Sequence, residues 1–274
     1  MSRHTKTGPL RSAERGFTLI ELLVVMVVTT VVTAAVLSFA IDFWGSNATL
    51  QTDLETYVDR SNAGDKLREA LNVSSGLIMQ NSLPDANPMD PDPSDATGQY
   101  WATIHAIPGT TNLGAGGTYT PIIYWQSPAT DSGKNLIMNG EQPYVNQFVL
   151  YLDNGNKELL LRKIANANAP DNATVSSCPP SSATTSCPAD TLISKNISSI
   201  DTRYFSRSGN VIDHTSIVET DSLGNPVVPT VYIGPDFTTV EVVELTLHLF
   251  KKSTIHGAAD TINSTTIRVA IRNR

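Results

Sequence analysis

The sequence predicts an α+β fold in which one long N-terminal helix packs on an antiparallel β-sheet head domain. Three observations support this: an apolar run near the N terminus, helical spacing of apolar residues after it, and β-rich segments separated by turns farther along. A helix followed by a series of strands is typical of the α+β class. With 274 residues, 40% of them hydrophobic, the chain is long enough to bury a core.

The apolar run extends from Phe17 to Ile41 and contains a single charged residue, Glu21. As a helix it would reach about 37 Å, which exceeds the roughly 30 Å hydrocarbon core of a bilayer. Residues 1–16 before it carry four basic residues and one acid. Because basic residues beside a first span remain cytoplasmic, we predict a single-pass inner-membrane protein, in contact with membrane lipid, whose C-terminal domain faces outward.

The order of these features is a basic leader, then glycine, then the apolar run. The segment RGFTLIELLVV resembles the signal of type IV pilins and type II secretion pseudopilins through Gly16, Phe17, the apolar residues and the acid at Glu21. An ordinary secretory signal has a shorter apolar stretch followed by its cleavage site. The resemblance covers about the first 30 residues of the chain.

The resemblance implies a course of processing and assembly. A prepilin peptidase would cut between Gly16 and Phe17, removing the leader at 1–16, and would N-methylate Phe17. An inner-membrane assembly platform would then move the helix from lipid into a cell-surface or periplasmic filament of other pilin or pseudopilin subunits. The layout of the chain is similar to the larger minor pilins and to J- or W-type pseudopilins. The resemblance implies no cofactor.

Glu21 is the one acid of the apolar run. A charge at the centre of a membrane helix costs about 2.5–3.5 kcal/mol, and less near an end, which favours a cationic partner. In the family this partner would be the α-amine of Phe17 in a neighbouring subunit, and the ion pair would set the axial register. The alternative is that Glu21 reaches the interface or complements the helix dipole.

After the transmembrane assembly helix at 17–43, helical spacing of apolar residues continues and predicts an amphipathic stem helix at 44–76, ending near 72–76. The apolar stripe of the stem should be covered by a sheet of the head domain, which is predicted at 77–274. The residues of this stripe are Leu50, Leu54, Tyr57, Val58, Leu67, Ala70 and Leu71.

The head domain begins with a Pro- and Asp-rich segment at 81–98, where four prolines predict a surface loop. Asp90, Asp92 and Asp95 suggest either a calcium cluster or a solvated acidic turn. The loop lacks the glycine turn and the terminal glutamate of a hand-type calcium site, which favours the turn.

Alternation and turn residues predict the strands of the head. The clearest hairpin is Phe148–Ile164, with its turn at 153–156, and a second candidate at 200–213 turns at 208–210. Two further strands are expected to pair as a closing hairpin, Thr239–Phe250 and Thr266–Arg272. Shorter apolar pieces at 100–107 and 121–125 are additional candidates.

Cys178 and Cys187 are the two cysteines of the chain. An even pair on the outward side of a membrane suggests a disulfide, which would contribute roughly 2–3 kcal/mol at best for so short a loop. A metal site is disfavoured because no histidine or further cysteine lies near them in sequence.

Composition and motifs narrow the functional class. The net charge of −7 and pI near 5.2 argue against nucleic acid as a general partner. The five histidines lie outside any GxSxG or HExxH motif, and His248 is expected to be a solvated residue of a polar strand face. We therefore predict a structural minor subunit rather than an enzyme. The alternatives are a surface-displayed adhesin or DNA-uptake pilin and, less favoured, a single-pass membrane-tethered extracellular enzyme.

Overall fold

The computed structural model describes residues 18–102, 118–212, 215–217, 231–233, 237–251 and 261–271. It contains one long helix followed by antiparallel sheets, so the expected α+β, pilin-like fold is confirmed. The chain divides into two compact units, Met1–Gln51 and Thr52–Arg274, which are called the first and the second unit below.

Helix α1 spans Leu19–Asn72 without interruption, since no proline occurs within it. Within the described residues it is the one helix long and apolar enough to cross a membrane. Two threonine hydroxyls in its apolar part are hydrogen-bonded within the helix: those of Thr29 and Thr30 donate to the carbonyls of Val25 and Met26 at 2.7 and 2.9 Å. The helix therefore presents little unpaired polar surface along this stretch.

The second unit includes the last part of α1, and there the predicted cover of the apolar stripe is only partly correct. Ala63, Leu67 and Leu71 are fully buried, whereas Leu54 and Tyr57 remain about two-thirds exposed. The prediction of a continuously covered stem is therefore wrong for the earlier turns. Among the described residues of the helix, Ala63, Leu67 and Leu71 belong to the core cluster that the sheets form. The core of the second unit therefore packs on the final turns of the helix.

The first sheet has five strands, all antiparallel to their neighbours, in the order β1-β2-β5-β6-β7. The expected hairpin at 148–164 is confirmed as β5 and β6, and the candidate at 121–125 lies within β2. The strands are β1 Gly76–Ile78, β2 Tyr119–Pro128, β5 Val145–Asp153, β6 Glu158–Ile164 and β7 Thr191–Ser194.

The hairpin turn follows from its sequence. The Asp153 carboxylate accepts hydrogen bonds from the backbone N–H groups of Gly155 and Asn156, at 2.9 and 3.0 Å. Such an aspartate organises the turn that its own backbone makes. Lys157 closes the turn with a φ of 58°.

The second sheet has three strands in the order β12-β11-β8. Strands β11 (Val242–Lys251) and β12 (Thr261–Ala270) pair in register over their full length, which confirms the closing hairpin. Thr239 was expected to begin the strand but lies instead in a short 3-10 helix, Phe237–Thr239.

The predicted hairpin at 200–213 is confirmed as a short one over its described residues, 200–212. The chain turns between Ser206 and Asn210, and the antiparallel bridge of Phe205 with Val211 is flanked by hydrogen bonds from the Ser206 N–H to the Asn210 carbonyl and from the Ile212 N–H to the Tyr204 carbonyl, at 2.9 and 2.8 Å. The first arm is longer than the second because strand β8 (Ile197–Phe205) also pairs with β11, where Ile200 and Tyr204 lie opposite Leu247 and Val243 and all four side chains are buried.

Two small two-stranded sheets complete the fold: β3 Met138–Asn139 with β4 Gln142–Pro143, and β9 Thr215–Ile217 with β10 Val231–Ile233. The strand predicted at 100–107 is absent from its described part, where Trp101 makes an isolated bridge with Pro91. Its residues 103–107 lie outside the described residues. The core unites the end of α1 with both larger sheets, and its largest fully buried aromatic side chains are Trp101, Trp125, Tyr124, Tyr151 and Tyr204.

Candidate functional site

The start of α1 contains the first candidate site, a capping box formed by Thr18 and Glu21. Glu21 Oε2 accepts hydrogen bonds from the Thr18 backbone N–H and from the Thr18 hydroxyl, both at 3.1 Å. In return, the Glu21 N–H donates to Thr18 Oγ1 at 3.3 Å. The threonine and the glutamate three residues later thus satisfy each other's otherwise unpaired backbone donors.

The capping box agrees with the interpretation of Glu21 as a residue that complements the helix terminus. Gly16 and Phe17, the predicted cleavage and methylation residues, lie outside the described residues. The apolar residues beside Glu21 are more than half exposed on every side of the helix, among them Leu22, Leu23, Val24 and Val25. A helix that is apolar all round requires lipid or other helices around it.

Comparison with known proteins bears on this same segment. Residues 11–37 match the model of the family described as the prokaryotic N-terminal methylation motif. This segment is a type IV pilin or pseudopilin signal. The pilin signal includes Gly16, Phe17 and Glu21, and it implies processing by a prepilin peptidase and assembly with other pilins. No curated protein and no solved structure matches the chain significantly.

The pilin signal and the apolar part of α1 overlap in sequence. The match ends at residue 37, and the helix begins at Leu19. A signal of this kind followed by a helix of membrane-spanning length is compatible with a membrane-anchored protein that has an extracellular domain.

The second unit contains a disulfide between Cys178 and Cys187, with their Cα atoms 5.6 Å apart. Around it, the Cys178 N–H donates to the Pro188 carbonyl and the Asp190 N–H donates to the Cys178 carbonyl, each at 2.8 Å. The disulfide and these two backbone hydrogen bonds close the loop. They also hold Asp190, which lies just after the loop in sequence, beside Cys178.

Asp190 belongs to a buried charge cluster that sequence reasoning missed. Its partner is Arg162 on β6, whose Nε donates to Asp190 Oδ1 at 2.6 Å and whose Nη2 donates to Asp190 Oδ2 at 2.9 Å. Arg162 Nη1 also donates to Asp85 Oδ2 and to the Asn87 carbonyl, both at 2.9 Å. One arginine therefore joins β6, the Pro-rich loop and the disulfide loop.

Other side chains complete the cluster. The indole Nε1 of Trp101 donates to Asp85 Oδ2 at 2.7 Å, and the hydroxyls of Tyr151 and Ser177 donate to Asp190. Burial, reinforced by the nearby Asp190 carboxylate, raises the pKa of Tyr151. For Arg162, burial alone would lower the pKa, but the paired carboxylates outweigh it and raise the pKa above its ordinary value.

One signal in the sequence could have indicated this cluster. In the sequence, Arg162 directly follows three leucines of a predicted strand. A charged residue within such an apolar run is a candidate for a buried charge, and in the structure Arg162 is buried together with the three leucines. Nothing local identifies its partners, because Asp85 and Asp190 are 77 and 28 residues away in sequence.

The acidic loop at 81–98 is ordered by its own carboxylates. Asp92 accepts from the Ser94 N–H and hydroxyl, and Asp95 accepts from Thr97 and from the backbone N–H of Gln99. The Thr97 hydroxyl is the main reason that the pKa of Asp95 is lowered to about 2. Asp92 and Asp95 are therefore hydrogen-bonded turn residues rather than simply solvated ones.

Calcium was the other interpretation of this loop, with Asp90, Asp92 and Asp95 as ligands. Among the residues that the structure describes, no group of three or more histidines, cysteines, aspartates or glutamates is placed to hold a metal ion.

His248 is half-buried and paired, which differs from the expected solvated residue. Its Nε2 lies 2.9 Å from Asp201 Oδ2 on the neighbouring strand β8. The other histidines, His4, His105, His214 and His256, lie outside the described residues.

Proposed function

We propose that the chain is a structural minor subunit, a minor pilin or pseudopilin, of a type IV pilus or of a type II secretion-like filament. The observation that carries this proposal is the methylation motif at 11–37, which overlaps the apolar first part of the uninterrupted helix α1. The apolar side chains of this helix are exposed on all sides, and exposing them to water is unfavourable. The helix is therefore suited to lipid or to contact with other helices.

The apolar side chains of this helix are suited to two environments, the lipid bilayer and the core of a filament. In lipid the exposed leucines and valines contact acyl chains, and in a filament core they contact the same residues of neighbouring helices. Each fully buried Leu or Val side chain is worth about 1.5–3 kcal/mol relative to water, so a path through water is disfavoured. An assembly platform in the inner membrane would supply the direct passage from lipid to filament.

Glu21 would act in two ways in this scheme. In the single chain it closes the capping box with Thr18, and both of those hydrogen bonds go to Oε2. A carboxylate accepts about four hydrogen bonds in all, so the ammonium of a neighbouring Phe17 can be added without breaking the box. The pair would neutralise two charges in an apolar surrounding and would fix the axial register.

We also propose that the second unit has no catalytic role. In the described part of the chain, the most buried charges, those of Arg162, Asp85 and Asp190, form ion pairs with one another. Buried charges that are fully paired in this way support a structural role for the cluster.

Mass spectrometry of the N terminus tests the proposed function. The chain is produced in the membrane of a host with and without a prepilin peptidase, and the N-terminal peptide is sequenced. We expect a chain that begins at N-methylated Phe17 only when the peptidase is present. A leader that stays attached to Phe17 in the presence of an active peptidase would contradict the proposal.

A further inference from the structure

The second unit contains a groove between the last part of α1 and strand β12. Its volume is about 210 Å³. The helix contributes Tyr57, Arg60, Ser61, Gly64 and Arg68 to the lining, and the strand contributes residues 265–267. Two arginines therefore line one small groove on a chain whose net charge is −7.

One of these arginines is held in place by the strand. Arg60 Nη2 donates to the Ser264 carbonyl on β12 at 2.7 Å. That bond uses one of the five N–H donors of a guanidinium, and among the described residues Ser264 is the acceptor found for this group. Arg60 is thus fixed at the groove with donor capacity left for a ligand.

Arg68 is the second cation, and its partner is a weak one. Its Nη1 lies 3.5 Å from Asp65 Oδ1 one helical turn earlier, and both side chains are more than half exposed. Ion pairs of this kind contribute about 0–1 kcal/mol because water screens them. The guanidinium of Arg68 therefore gives up little when it leaves Asp65 for another oxyanion.

Gly64 lies between the two arginines in sequence and lines the groove without a side chain. A Cβ atom built at this position would lie 3.9 Å from Arg68 Nη1 and 3.9 Å from Cγ1 of the buried Ile267. A larger side chain here would fill the space between the helix and β12. Ser61 and Thr265 also line the groove, whereas the Thr266 hydroxyl is hydrogen-bonded to the Thr246 hydroxyl on β11 at 3.1 Å.

From these features we propose that the groove is an oxyanion-binding site. Arg60 and Arg68 supply the charge-assisted hydrogen bonds that bind phosphate, sulfate or carboxylate groups. The ligand is a free phosphate-type ion or a carboxylate group, and both share this chemistry. This proposal does not depend on the proposed filament.

The test uses the full chain in detergent micelles, labelled with ¹⁵N-arginine, and follows the Nε–Hε NMR signals of the arginines. The chain is titrated with sodium phosphate or sodium acetate against sodium chloride at equal ionic strength. We expect saturable shifts of the Arg60 and Arg68 signals with at least one oxyanion and not with chloride. Tighter binding of phosphate assigns a phosphate-type ligand, and tighter binding of acetate assigns a carboxylate.

Variants locate the site. Arg60→Gln and Arg68→Gln should each weaken binding at least about tenfold, since each removes charge-assisted hydrogen bonds. Gly64→Leu should weaken binding by a similar factor with both arginines present, by filling the groove. Arg207→Gln is the matched control, because it removes the same charge from a side chain that is 90% exposed.

Wild-type titration alone can overturn the proposal, whatever the folding of the variants. Absence of saturable shifts with both phosphate and acetate would do so. Equal binding by the Arg68→Gln variant and the Arg207→Gln control would also do so, because it would place the ion elsewhere.

Discussion

Arg162 and Asp190 form a two-pronged ion pair in which both side chains are fully buried, with Nε to Oδ1 at 2.6 Å and Nη2 to Oδ2 at 2.9 Å. Asp190 follows the disulfide loop directly, and Arg162 also binds Asp85 of the Pro-rich loop. Two long irregular segments are therefore attached to the first sheet by one side chain. Removing one partner of such a pair leaves buried charge without compensation.

The first prediction concerns this cluster. Arg162→Met should lower the free energy of unfolding by about 3–5 kcal/mol, since the Asp85 and Asp190 carboxylates stay buried without their cation. Urea unfolding of the full chain in micelles, followed by the fluorescence of the buried Trp101 and Trp125, measures the loss. The control Arg207→Met should change the free energy by less than about 0.5 kcal/mol. Equal losses in the two variants would contradict the assignment.

The second prediction separates the two roles of Glu21. Glu21→Ala removes both the capping box and the charge, whereas Glu21→Gln keeps a side chain that closes the box and removes only the charge. We expect normal leader cleavage in both variants and impaired incorporation of both into filaments, measured by immunoblotting of sheared filaments. Glu141→Ala, on the exposed β3–β4 turn, is the control. Normal incorporation of Glu21→Gln would show that capping, not charge pairing, is what assembly needs.

The third prediction concerns the disulfide. Replacing Cys178 and Cys187 together by serine should lower the free energy of unfolding by about 2–3 kcal/mol, because the bridge closes a short loop with a sequence separation of nine residues. Urea unfolding with and without a reducing agent measures it. The reducing agent should destabilise the wild-type chain by the same amount and leave the double variant unchanged. A wild-type chain indifferent to reduction would refute the expected contribution.

The fourth prediction compares two leucines of α1. Leu67→Ala should cost about 2–5 kcal/mol of unfolding free energy, since Leu67 is fully buried against the core and its truncation leaves a cavity. Leu54→Ala, at a side chain 65% exposed, should cost less than about 0.5 kcal/mol in the unassembled chain. Thermal and urea unfolding of the two variants in micelles would show the difference. Similar costs would mean that the core extends farther along the helix.

The fifth prediction concerns Asp95 and acid. Its pKa in the folded chain is lowered to about 2, from an ordinary value of 3.8, mainly by the Thr97 hydroxyl. A depressed folded pKa contributes stability that is present above the ordinary value and is lost as the pH falls toward about 2. Carboxyl ¹³C NMR should find Asp95 ionised at pH 3, and Thr97→Val should raise its pKa. An unchanged pKa of Asp95 in the Thr97→Val variant would contradict this cause. The control is Thr184→Val, which makes the same change in another loop and should leave the pKa of Asp95 unchanged.

The sequence by itself determined the features that depend on neighbours along the chain. The pilin signal follows from Gly16, Phe17 and Glu21 beside the apolar run, and the long helix α1 follows from that run and from the helical spacing after it. The β5–β6 hairpin follows from its Asp-Asn-Gly turn, and the β11–β12 hairpin follows from strict alternation. Each is fixed by interactions over a few residues, so the local pattern carries the information.

Only the tertiary structure decided the rest. It brought Arg162 to Asp85 and Asp190, paired β8 with β11, and, within the described residues, buried the apolar side chains of α1 from Ala63 onward. These outcomes depend on which apolar faces are buried together by segments far apart in sequence. A buried charge can be recognised from its apolar neighbours in sequence. The identity of its partner depends on tertiary packing, because the charge and its partner must leave water together and lie side by side in the folded chain.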